Sequence, residues 1–144
     1  MLITTGQHII DHLKNQCLHA PANTFSTSDL VGVKARSQVH PARHVVLHSY
    51  APRDEVDGDG LWEEIYLVVH IVRSARQLDP VADAAVSAAA MIAETLRLLS
   101  GWRPPETAGP LRILPPPRPA HDDGFSYYAT AFAVNVATGG FPDQ

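Results

Sequence analysis

Histidines carry most of the side chains with chemical potential. His8 and His12 stand four residues apart, the spacing at which two imidazoles on one helix face can share a zinc ion. No third ligand accompanies them in a recognisable motif, and no glutamate follows His8 as a metalloprotease requires. A solvated helix face accounts for them better. His40, His44 and His48 repeat every four residues through a segment that reads as loop and then strand. In a strand, His44 and His48 share one face and can titrate together near neutral pH. Asp57-Gly58-Asp59-Gly60 has the texture of a calcium loop but lacks the distal bidentate glutamate, so a hairpin tip fits it better. Glu63 and Glu64 are neighbours and point to opposite faces of a strand, so they cannot act as a catalytic pair. Cys17 is the single cysteine and lies on an apolar stripe, where it reads as a small buried hydrophobe. No nucleophile elbow and no phosphate-cradling glycine loop is present. The sequence predicts no catalytic residue, no metal and no cofactor.

The elements that must position these residues follow from periodicity. Leu2, Ile9, Leu13 and Cys17, widened by Ile10, recur at helical spacing and predict a helix over residues 5–19, with Thr4 and Gln7 at capping-box spacing. Residues 29–34 read as a short strand. Residues 44–50 and 62–73 read as two longer strands joined by an acidic hairpin loop. In the second of these, Ile65, Leu67, Val69 and Ile71 alternate on one face. Glu64, Tyr66, Val68 and His70 share the other, which is less polar than a plain solvated face, and Tyr66, Val68 and His70 make it a candidate contact face. A second helix starts at Pro80 behind Asp79 and ends at Gly101. Its predicted apolar face is Val81, Ala85, Ala88, Ala89, Ile92, Leu96 and Leu99, with Glu94 opposite. Residues 111–114 form a short strand stopped by Pro115-Pro116-Pro117, and residues 125–136 form the last strand after an Asp122-Asp123-Gly124 turn. The predicted fold class is α+β, a mostly antiparallel four- to five-stranded sheet with two helices packed on one face. Residues 1–144 read as one domain, with 138–144 a flexible tail.

Bulk properties agree with a globular subunit. The chain has 144 residues, 45% apolar and 18% charged, and a net charge of −4. That balance argues against a domain built to grip phosphates. No basic leader and no apolar run of ~20 residues stands in the sequence, which predicts a product without a membrane span that stays in the cytoplasm of the cell making it.

Four stretches carry a resemblance. They are Gly6-Gln7-His8-Ile9-Ile10-Asp11-His12-Leu13, Glu64-Ile65-Tyr66-Leu67-Val68-Val69-His70-Ile71-Val72, Ala90-Met91-Ile92-Ala93-Glu94-Thr95-Leu96-Arg97-Leu98-Leu99-Ser100-Gly101-Trp102, and Phe125-Ser126-Tyr127-Tyr128-Ala129-Thr130-Ala131-Phe132. Their order and texture resemble the tail terminator proteins of tailed phages, especially the Mu-like group. The resemblance implies a non-enzymatic virion protein at the tail-neck junction, in a hexameric ring capping the head-proximal end of the tail tube. Its implied partners are copies of itself, the tail tube protein and the head-completion protein, with DNA passing through the lumen unread. On that footing the candidate interface residues are Arg53, Asp54, Glu55, Asp57 and Asp59 of the hairpin tip, Trp62 at its base, and Tyr66 and His70 on the second strand face. Trp102 and the prolines of residues 115–119 are further contact candidates. A solvated turn explains the tip equally well. Two other readings stand beside this one: another neck component, and a small ligand-binding or catalytic α+β domain using His44 and His48.

Overall fold

The computed structural model describes residues 2–19, 23–28, 30–35, 39–52, 61–74 and 80–137. Its elements in chain order are α1 (Leu2–Gln16), β1 (Thr24–Ser26), α2 (Leu30–Ala35), β2 (Ala42–Pro52), β3 (Leu61–Arg73), α3 (Pro80–Leu99), β4 (Arg112–Leu114), β5 (Ala120–Asp122) and β6 (Phe125–Ala137). The sheet has six strands in the order β1-β2-β3-β6-β4, with β5 also paired to β6.

The α+β class holds, but the sheet is mixed. β1 runs parallel to β2, while β2–β3, β3–β6, β4–β6 and β5–β6 are antiparallel. The reason lies in residues 29–34, which alternation suggests as a strand. Residues 30–35 form the helix α2 instead. Parallel neighbours need a crossover, and α2 supplies it between β1 and β2. Six residues are too few for a helical period to stand out from a short strand.

Helices cover both faces of the sheet. On one face, Ile9, Ile10, Leu13 and Cys17 of α1 meet Val45, Tyr66, Val68, Phe132 and Val134. α3 continues this layer, packing Ala84, Ala88 and Met91 against Val72. The two predicted helices therefore do share a face. On the other face, Val33 of α2 joins Val46, Leu67, Val69, Ile71, Tyr127 and Ala131. The face that receives α1 and α3 is the one carrying Tyr66, Val68 and His70, and this burial explains why it is less polar than a plain solvated face.

Local details differ from the sequence reading, and the short strands β1 and β5 were not among the expected elements. α1 begins at Leu2, so Thr4 lies inside the helix and is no cap. The buried face of α3 is Ala84, Ala88, Met91, Thr95 and Leu99, whereas Ala85 and Ala89 are exposed. Glu94, placed on the solvent side by the pattern, is buried. Other points agree. Pro80 is the first helical residue of α3, and Gly101 closes it at φ 78°, a conformation glycine takes without a Cβ clash. Asp79 and residues 138–144 lie outside the described residues.

Candidate assembly surface

Several polar side chains lie inside the fold, between the sheet and α3. Arg43 of β2 is fully buried beneath α3. Its guanidinium donates to Glu94 Oε1 at 2.7 Å, to the His19 carbonyl at 2.5 Å, to the Met91 carbonyl at 3.3 Å and, through Nε, to Thr95 Oγ1 at 3.0 Å. Glu94 also accepts from the backbone N–H groups of Leu18 (2.6 Å) and His19 (3.2 Å). Burial opposes its charge, but those two N–H groups and Arg43 outweigh it and hold the carboxyl below its usual range.

His70 completes this network. Its Nδ1 lies 2.8 Å from the Tyr128 carbonyl, which can only accept, so Nδ1 carries the proton. Its Nε2 lies 2.7 Å from Thr95 Oγ1. Burial, helped by the nearby Arg43 charge, pushes the imidazole down to about 4. His70 is thus a neutral structural side chain. Tyr66 is likewise interior, its hydroxyl donating to Glu64 Oε1 at 2.8 Å. Burial raises the Glu64 carboxyl. Tyr66 and His70 therefore offer no surface to a partner, which corrects their placement among contact residues. Each sits against a helix and has its polar atoms engaged inside.

The remaining histidines do not converge. His12 stacks flat on Trp102, ring centroids 3.9 Å apart at 5°, which makes Trp102 a lid on the α1 core. His8 instead reaches Glu106 at 4.0 Å. A bulge between Leu47 and Ser49 breaks the alternation of β2 at His48. His44 is buried with its Nδ1 2.7 Å from Thr27 Oγ1, whereas His48 is exposed, so the two do not act together. Glu63 and Glu64 do face opposite ways: Glu63 pairs with Arg112 at 2.6 Å on the side away from Tyr66. Among the described residues, no three His, Cys, Asp or Glu side chains are grouped to hold a metal. Cys17 is buried, and burial pushes its thiol up to about 11.

The surface candidates lie elsewhere. Trp62, at the end of the β2–β3 ladder where the two strands are connected, is half-buried and meets Tyr50, which is 54% exposed, with centroids 5.9 Å apart. Arg53, Asp54, Glu55, Asp57 and Asp59 follow on in the loop and lie outside the described residues. Pro115, Pro116, Pro117 and Pro119 are exposed. At the other end of the ladder, a cleft of about 440 Å³ opens between α1, α3 and the end of β3. Sequence reasoning missed both Arg43–Glu94 and this cleft. No local signal marks the former, because Glu94 falls opposite the apolar stripe of α3 and its partner Arg43 lies 51 residues away in the chain.

The fold defines a sheet-centred α+β domain whose buried polar groups tie α3 and the end of α1 to the sheet. The chain belongs to the phage tail terminator protein family, which matches residues 3–141. That membership makes it a structural protein of phage-type virions. Among solved structures, it is similar to a chain from the virion of a native gene transfer agent particle. The two share 14% identity and a TM-score of 0.59, with 93% of this chain and 95% of that one covered. No curated protein matches. Among the described residues, no helix is long and apolar enough to cross a membrane.

Proposed function

We propose that this chain forms a ring, a hexamer on the family's pattern, at the head-proximal end of the tail tube. There it stops tube polymerisation and presents the surface that joins the head. The observation that carries this reading is the family match across nearly the whole chain. One domain spans residues 1–144 in this reading, and its work is done by surfaces rather than by bond-making chemistry.

The ring follows from head-to-tail contacts, in which different patches of neighbouring copies meet and the rotation closes. Tube subunits stack on one ring face, and the other face offers the head-completion protein a different surface. The net charge of −4 suits a lumen through which DNA slides without being held. Tyr50 and Trp62, with the acidic loop between them, form one contact patch; the exposed proline segment at 115–119 lies against an adjacent subunit.

Particles made without this gene test the reading. Negative-stain images should show tails of irregular, often excessive length that fail to join heads. Tails of normal length, joined to heads, would refute it.

A further inference from the structure

We propose that the proline arm, residues 115–119, of one copy packs on the Tyr50–Trp62 pair of the next copy. This rests on the ring-subunit reading above and names the contact that links the copies.

The arm is stiff by its covalent chemistry. Four of its five residues are prolines, whose rings fix φ at about −65°. Leu114, Pro115, Pro116 and Arg118 each precede a proline, and the Cδ of the next ring pushes them into extended conformations. The result is a polyproline-type strut whose carbonyls have no internal partners. β4 on one side and β5 on the other, both paired to β6, tether its two ends. All five residues are exposed. A segment with so few N–H groups cannot join another sheet as a strand. What it offers is ring faces, backbone acceptors and one cation, Arg118.

The aromatic pair offers the complement. Tyr50 is more than half exposed and Trp62 is half-buried. Their rings meet at 46° with centroids 5.9 Å apart. Two tilted aromatic rings leave a notch that receives a proline ring, the mode by which aromatic-lined grooves take polyproline segments. Among the described residues, neither the Tyr50 hydroxyl nor the Trp62 indole N–H has an acceptor, so both can donate to carbonyls of the arm. Arg118 is drawn to the electron-rich face of either ring. A strut already extended and tethered at both ends loses little freedom on contact.

Geometry separates arm and notch within one copy. Pro117 and Arg118 lie beside Val69 and Ala129. Trp62 stands seven residues before Val69 on β3, about 23 Å along the strand. The odd spacing also places Trp62 and Val69 on opposite faces of the sheet. A copy cannot fill its own notch. The contact therefore joins unlike patches of neighbouring copies, and its repetition closes into a ring.

The test uses the chain within assembled tails. Tyr50→Cys together with Pro116→Cys, oxidised in purified tails, should give a reducible ladder of multiples of 15.6 kDa. Neither single variant should, because the native Cys17 is buried. In a second experiment, Trp62→Leu should lower incorporation into tails about ten-fold, while Trp62→Tyr, which keeps a ring and a donor, should retain most of it. Changing Pro115, Pro116 and Pro117 together to alanine should cost a similar factor. Adding Trp62→Leu to that triple variant should cost little more, because both changes break one contact. A double-cysteine protein that enters tails without a ladder, a bridge to a different protein, or losses that multiply to about a hundred-fold would overturn the docking and leave the subunit reading intact. Tails whose length does not depend on this chain would overturn both.

Discussion

The two faces of the central sheet are held by different physics. The α1/α3 face is threaded with polar side chains: Arg43, Glu94, Thr95 and His70 at one end, Glu64 and Tyr66 nearer the other. The α2 face is packed chiefly by aliphatic side chains and alanines, with Val46, Leu67, Val69 and Ile71 at its centre. Apolar contact is non-directional and tolerates sliding. A buried ion pair with five or more fixed partners does not, because each misplacement leaves a charge unpaired in a dry interior. The polar face thus sets the register of α3, and with it the shape of the cleft above Arg43. The apolar face supplies adhesion.

The sharpest break of this contrast is Glu94→Ala, which strands the Arg43 charge and should cost about 3–5 kcal/mol in denaturant unfolding. Replacing both partners, Arg43→Met with Glu94→Leu, should recover most of that loss while loosening the α3 register, visible as faster amide exchange in residues 88–95. A near-neutral Glu94→Ala would mean the network does not anchor the helix. On the apolar face, Ile71→Ala should cost about 2–4 kcal/mol, and Ile71→Val about 1 kcal/mol. A graded loss with volume distinguishes packing from registry.

Acid titration separates the faces further. His70 in the fold stays neutral down to about 4, against an ordinary value of 6.5. Its contribution is therefore complete above about pH 6.5 and is lost as pH falls towards 4. Glu94, held below its usual range, loses its contribution in the same direction but at lower pH. Glu64 works oppositely, since its raised carboxyl costs stability as pH climbs through it. The melting temperature should fall between pH 7 and 5, and His70→Gln, which cannot take up a proton, should flatten that slope. An unchanged slope would remove His70 from the account.

The smallest effect on stability should come from Tyr50→Ala, whose side chain is more than half exposed. Unfolding should shift by less than about 0.5 kcal/mol. Incorporation into tails should nevertheless fall, and loss of both together would make Tyr50 a core residue rather than a contact.

Much of this architecture is already present in local pattern. The α1 stripe of Ile9, Leu13 and Cys17, the long alternating β3, Pro80 opening α3 and Gly101 closing it are set by neighbours in the chain, so spacing and turn chemistry suffice to find them. Residues that depend on distant partners behaved differently. α2 is too short to declare its period. The His48 bulge arises only from the pairing of β2 with β3. Glu94 looks like a solvent-side charge until Arg43, 51 residues away in the chain, is brought beneath it.

The sequence alone determined the long elements α1, β2, β3, α3 and β6, their order and the apolar character of both faces of β3, because these depend on contacts within a few residues. Tertiary structure alone decided that the sheet is mixed, that Tyr66 and His70 face inward, and that a cleft stands at the far end of the ladder from the acidic loop. Those outcomes rest on which strand pairs with which and which helix covers which face. Local propensity carries no term for either.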